Sequence, residues 1–234
     1  PQCCGSAAGA ATVTAGSAAN SITGGTGNDT IKFGASDLTS ADTVSGGSGA
    51  NDILQITAAN TTMNVTNVTN IDRLLLATGT NTIATGTLNS VIVDAASVAQ
   101  TFTLGAGTNS VTLENLATSS SFTGNSGADT ITYTGSVATS VSGMAGNDVL
   151  TTGTGADTLN GGDGADAMTG GTGNNVFVYS SSTNSSGSNI DTIADFNSGD
   201  VLQLALTLTT NQTFTATDRG AVATLGDTGG NLTG

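Results

Sequence analysis

The chain has 234 residues, of which 9% are charged and 3% aromatic, with no Trp and no His. This excludes a conventional bulky core and every catalytic scheme that needs a histidine. The 17 acidic residues face three basic ones, Lys32, Arg73 and Arg219; the net charge of −14 argues against nucleic acid and anionic membranes as partners and favours bound cations.

Residues 1–20 read as a small-residue lead-in or a weak first strand. Their adjacent Cys3 and Cys4 have neither metal-ligand spacing nor the pattern of a disulfide framework. A start at Pro1 rather than Met is expected of a processed or excised piece. Residues 21–123 hold short β-branched runs between Gly, Asn and Asp turns. Examples are Thr30-Ile31-Lys32-Phe33, Ile53-Leu54-Gln55-Ile56, Ser90-Val91-Ile92-Val93, Thr101-Phe102-Thr103-Leu104 and Ser110-Val111-Thr112-Leu113. One helical turn is predicted from Ser36 to Ala41. From residue 55 to 100 the glycine turns fade, although strand-like units continue. Thr-x-Thr pairs such as Thr101-Phe102-Thr103 are not expected to recur in register. Residues 124–178 carry the densest glycine turns, and 179–234 read as a closing cap, truncated at its end. No sustained helical period occurs, and no run of 18 apolar residues predicts a membrane span.

The pattern G-x-G-x-D before a strand occurs at Gly25 to Asp29, Gly153 to Asp157 and Gly162 to Asp166, with looser copies ending at Asp129 and Asp148. A copy ending at Asp52 has one extra residue, and two copies carry Asn in the Asp place, at Asn109 and Asn175. Asp148, Asp157, Asp166 and Asn175 are nine residues apart. A glycine turn plus a three-residue strand fills nine residues, so two units make one flattened coil. Coils stack at about 4.8 Å. Asp148 then lies near Asp166, and Asp157 near Asn175. Stacked carboxylates repel unless a cation lies between them. Glycines at 146, 155, 162, 164, 171 and 173 turn backbone carbonyls toward that gap. Carboxylate plus carbonyl makes an all-oxygen shell, which suits several Ca²⁺ ions and disfavours soft metals. The candidate ligands are Asp148, Asp157 and Asp166, then Asp29, Asp129 and Asp52, with Asp200 and Asn175 at the end of the rows and Gly146, Gly155, Gly162, Gly164, Gly171 and Gly173 supplying carbonyls. Asp163 sits at a variable position and is expected to face solvent.

Gly161-Gly162-Asp163-Gly164-Ala165-Asp166-Ala167-Met168-Thr169 resembles the glycine-rich nonapeptide of RTX proteins, G-G-x-G-x-D-x-U-x. The stretch from Asn174 through Asp200 to Leu204 resembles the closing segment of serralysin-type C-terminal domains. The Thr/Ser/Ala/Asn-rich region before it is similar to RTX-type surface-layer proteins. The resemblance implies an all-β, right-handed parallel β-roll or β-helix with calcium-binding glycine-rich turns. It further implies a protein exported by type I secretion, located outside the cell or on the bacterial surface, that folds on meeting calcium. The function expected is structural: a surface-layer or surface-fibre subunit that self-assembles into a lattice or filament through calcium, without nucleic acid or membrane insertion. An RTX secretion and folding module detached from a secreted hydrolase is the first alternative; an adhesin or ice-binding module is the second. Catalysis is not expected, since Glu114 is the only Glu and the aspartates are absorbed by the repeat.

Overall fold

The computed structural model describes residues 3–4, 9–58, 61–77, 79–86, 91–94, 100–114, 116, 118–181, 183–185 and 188–204. They form an all-β solenoid with every strand pairing parallel. Strands start every nine residues at Val149, Thr158, Ala167 and Val176, alternating between two faces. One face is a ten-stranded sheet running from Thr12–Thr14 to Thr192–Ile193. The other comprises a four-stranded sheet, from Cys3–Cys4 to Val68–Thr69, and an eight-stranded sheet, from Thr61–Asn64 to Val201–Leu204. Pairing runs through the regions around residues 20, 123 and 178 without interruption. The part of the predicted cap from 205 onward lies outside the described residues.

The alternation in each strand sends its middle residue inward. On one side Phe102, Phe122, Val141, Leu159, Phe177 and Leu202 stack coil upon coil, all buried. Phe102 and Phe122 meet edge to face, with ring centroids 6.3 Å apart. Opposite them stack Ile131, Leu150, Met168 and Ile193. The core is therefore thin but continuous, as the composition requires.

Two local predictions are corrected. The segment 36–41 is a pair of turns rather than a helical turn; Ser36 takes φ 55°, which a right-handed helix does not allow. The second correction concerns the hydroxyl pairs, which do recur in register. Thr80 and Thr82, Thr101 and Thr103, Ser121 and Thr123, then Ser140 and Ser142 form two outward columns on the eight-stranded sheet, one of which continues to Thr158. The coils holding these rows differ in length. Insertions sit in the turns, so the strands keep register although the sequence spacing drifts.

Candidate metal centre

Along one edge, an Asp or Asn stands immediately before each of several strands of the ten-stranded sheet. This position lets a short side chain reach the preceding coil. Asp148 Oδ1 accepts the backbone N–H of Asp129 at 2.7 Å, Asp166 Oδ1 that of Asp148 at 2.8 Å, and Asp191 Oδ1 that of Asp166 at 2.9 Å. Further down the same edge, Asp52 Oδ1 accepts from Asp29 at 2.8 Å, and Asp29 Oδ1 from Ala11 at 2.7 Å. The other edge repeats the device: Thr139 donates to Asp157 Oδ1 at 2.7 Å, Asp157 to Asn175 Oδ1 at 3.0 Å, and Asn175 to Asp200 Oδ1 at 2.8 Å. The structure thus brings Asp129, Asp148 and Asp166 onto one edge and Asp157, Asn175 and Asp200 onto the other.

The second carboxylate oxygen sorts these residues. Oδ2 of Asp29, Asp52, Asp148 and Asp166 is buried and accepts no hydrogen bond, whereas the Asp157 carboxylate is also approached by Thr152 and the Gly153 N–H, and that of Asp191 by the Tyr179 hydroxyl. A bare buried acceptor is costly, and a charged one more so. Asp129 Oδ2 instead accepts from the Asn125 N–H at 3.2 Å, and Asp200 Oδ2 from the Asn197 N–H at 2.6 Å. Asn175 presents an amide nitrogen, a donor, where a cation needs an oxygen. Asp163 is exposed and accepts from Thr183 Oγ1 at 2.8 Å.

Glycine makes room for the bare oxygens. A Cβ on Gly143 would collide with Asp148 Oδ2, and one on Gly161 with Asp166 Oδ2. Gly146, Gly162, Gly164, Gly171 and Gly173 take positive φ, between 76° and 149°. Gly155 does not; its place in the row depends on close backbone packing against Val137. The carbonyls of Met144, Gly146 and Gly155 lie against Gly162, Gly164 and Gly173 of the next coil, where any Cβ would strike them. The Gly161 carbonyl oxygen and Asp148 Oδ2 both approach the Cβ position of Gly143, so a carbonyl and a bare carboxylate oxygen share the gap between those coils. Among the described residues no three acidic, Cys or His side chains converge, so a cation here would rest on few carboxylates and on backbone oxygen.

Electrostatics agree with that need. Burial pushes the Asp148 carboxyl up to about 7; the Asp129 N–H offsets part of this, and the charges of Asp166 and Asp129 add to it. Burial raises Asp191 to about 6, and also raises Asp157 and Asp166. These sites hold a charge only at a cost, which a proton or a cation removes. Bare acceptors, glycine-cleared space and an all-oxygen lining fit Ca²⁺.

Comparison with known families finds the RTX calcium-binding nonapeptide repeat in four copies, matched at residues 7–37 and 142–177. The chain carries RTX repeats. The first match contains Asp29, and the second contains Asp148, Asp157, Asp166 and Asn175. Asp52, Asp129 and Asp200 lie outside the matched residues. No curated protein and no solved structure matches the chain. RTX repeats on a β-solenoid are a calcium-binding structural module. From the sequence, Asp191, Asp195 and Asp200 read equally as a further ion site and as turn and edge residues; Asp191 is 25 residues after Asp166, off the nine-residue beat because the intervening segment is inserted between coils. Sequence reasoning left one feature out. The glycine five residues before an aspartate, as Gly143 before Asp148 and Gly161 before Asp166, was visible, but its role against Oδ2 needed the folded turn.

Proposed function

We propose that this chain is an extracellular calcium-binding structural protein, a surface-layer or surface-fibre subunit of a bacterial cell that folds and assembles on binding Ca²⁺. The observation that carries this reading is the set of buried, unbonded Oδ2 atoms between stacked coils. When bound, calcium supplies positive charge and oxygen coordination. The residues that would hold it are Asp29, Asp52, Asp148, Asp157, Asp166 and Asp191, with turn carbonyls such as those of Met144 and Gly146. Backbone ordering costs about 1–2 kcal/mol per residue, and the thin core offsets it poorly. An ion that binds only the folded chain shifts that balance. At the 10⁻⁴–10⁻³ M affinities typical of extracellular modules, the chain stays unfolded in the cytosol and folds outside. An extracellular place accords with RTX repeats, which are typically exported by type I secretion. The chain is proposed to do no chemistry, and to associate with copies of itself rather than with nucleic acid.

Circular dichroism during a calcium titration tests the folding step; a chain equally β-rich in chelator would sink it. Electron microscopy of the purified protein with Ca²⁺ tests assembly. Dispersed monomers at high concentration would favour the secretion and folding module instead. One observation favours an ice-binding or adhesive module: the outward hydroxyl columns from Thr80 to Thr158. Measurable thermal hysteresis would promote that reading, and its absence would remove it.

A further inference from the structure

Asn109 stands where the repeat has its aspartate, and its surroundings differ from those of Asp148 or Asp166. Its Nδ2 donates to the carbonyl oxygens of Gly105 and Gly107, four and two residues back, at 2.9 and 2.8 Å. It also meets Asp129 Oδ1 of the following coil at 2.9 Å. All three neighbours are acceptors, so the amide must present its nitrogen to them. Asn20, on the opposite edge, repeats this arrangement. Its Nδ2 donates to the Gly16 carbonyl at 2.9 Å, to the Ala18 carbonyl, and to Asp42 Oδ1 at 2.9 Å. The carbonyls are again four and two residues back, and the carboxylate again belongs to the next coil. Both asparagines are buried. Asp129 and Asp42, the carboxylates that receive these amides, have hydrogen bonds on both oxygens.

Building on the proposed binding of calcium between coils, we infer that the Asn109 and Asn20 amides take the cation's place. Two N–H hydrogens, one of them shared, serve the two carbonyls and the carboxylate that would otherwise face a second carboxylate. These two edge positions close without calcium. The demand for metal is then confined to the edge opposite Asn20, at Asp29 and Asp52, and to the coils from Asp148 to Asp191. Asn109 marks a stretch between them that closes by its own hydrogen bonds.

The test is Asn109→Asp in the full chain, with calcium counted by equilibrium dialysis and thermal midpoints measured at saturating and at limiting calcium. The variant is expected to bind one more Ca²⁺ per chain than wild type. Its midpoint should fall at limiting calcium and recover at saturating calcium. Asn20→Asp, on the other edge, should behave alike. Asn109→Ala, which has neither donor nor charge, should lose stability in both conditions and gain no ion. An Asn109→Asp chain with the wild-type calcium count, or with a loss that calcium does not repair, overturns the inference. If it folds in neither condition, Asn20→Asp decides on the same criteria. A wild-type count of zero overturns the calcium reading itself, and the wild-type measurement identifies that failure separately.

Discussion

Asp166 uses its two oxygens differently: Oδ1 ties down the Asp148 amide, while Oδ2 is buried without a donor against Gly161. Both halves can be tested. Gly161→Ala puts a methyl into the space of Oδ2, and overpacking of this kind costs about 1–3 kcal/mol. Gly16→Ala is the control: nothing lies within 4 Å of its added Cβ, so it should be neutral or gain about 0.4–1 kcal/mol. Chemical denaturation in calcium distinguishes the two, and equal effects would contradict the packing described. Asp166→Asn keeps the acceptor for Asp148 and replaces the bare charged oxygen with a donor. At limiting calcium it should stabilise the chain, because the charge that burial disfavours is gone. At saturating calcium it should shed part of the calcium-dependent gain. A variant destabilised at limiting calcium would show that the buried charge carries no cost. The aspartates themselves were legible from their nine-residue beat. Which of their oxygens is bare was not, because that depends on neighbours such as Asn125 and Asn197, whose amides reach Asp129 and Asp200 through turn geometry.

At the scale of strands and coils, the ladder bonds span 18 residues between Asp148 and Asp166, 20 between Asn109 and Asp129, 23 between Asp29 and Asp52, and 25 between Asp166 and Asp191. The strands were legible throughout, since alternation and turn residues are local. Lateral register was legible where the coil is 18 residues long and, with one inserted residue, between Asp129 and Asp148. Elsewhere the turns absorb the extra length; in the coil after Phe33, Leu38 turns inward and is buried. The hydroxyl columns illustrate the consequence, since their rows come from coils whose spacing no fixed period predicts. Core continuity is the element-scale test. Phe122 sits edge to face with Phe102 and is buried, so Phe122→Ala should cost about 3–5 kcal/mol. Because this loss lies in the apolar stack, it should appear at limiting and at saturating calcium alike. A loss confined to one condition would mean that the two layers of support are not independent.

For the whole molecule, a net charge of −14 and raised carboxyl values make stability depend on both protons and ions. The folded values of Asp148, about 7, and Asp191, about 6, exceed the ordinary 3.8, so the folded chain binds these protons more tightly than the unfolded chain. Their contribution to calcium-free stability is complete below about pH 4 and is lost as pH rises through about 6 and 7. The β content of the calcium-free chain should therefore fall between pH 4 and pH 7.5. With calcium the trend should weaken or reverse, because protons compete for the same oxygens. Circular dichroism across that range checks both statements, and a flat calcium-free profile would contradict the burial of these carboxyls.

The sequence alone determined the all-β class, the short strands, the two edges of acidic turns and the choice of oxygen over nitrogen or sulfur as donor. Each of these follows from residue type and local spacing. Tertiary structure decided which carboxylates hold a bare oxygen, which asparagines close their own coils, and which hydroxyls line up on the outer face. Those outcomes depend on the stacking of one coil on the next, where a single inserted residue is taken up by a turn and leaves no fixed period to read.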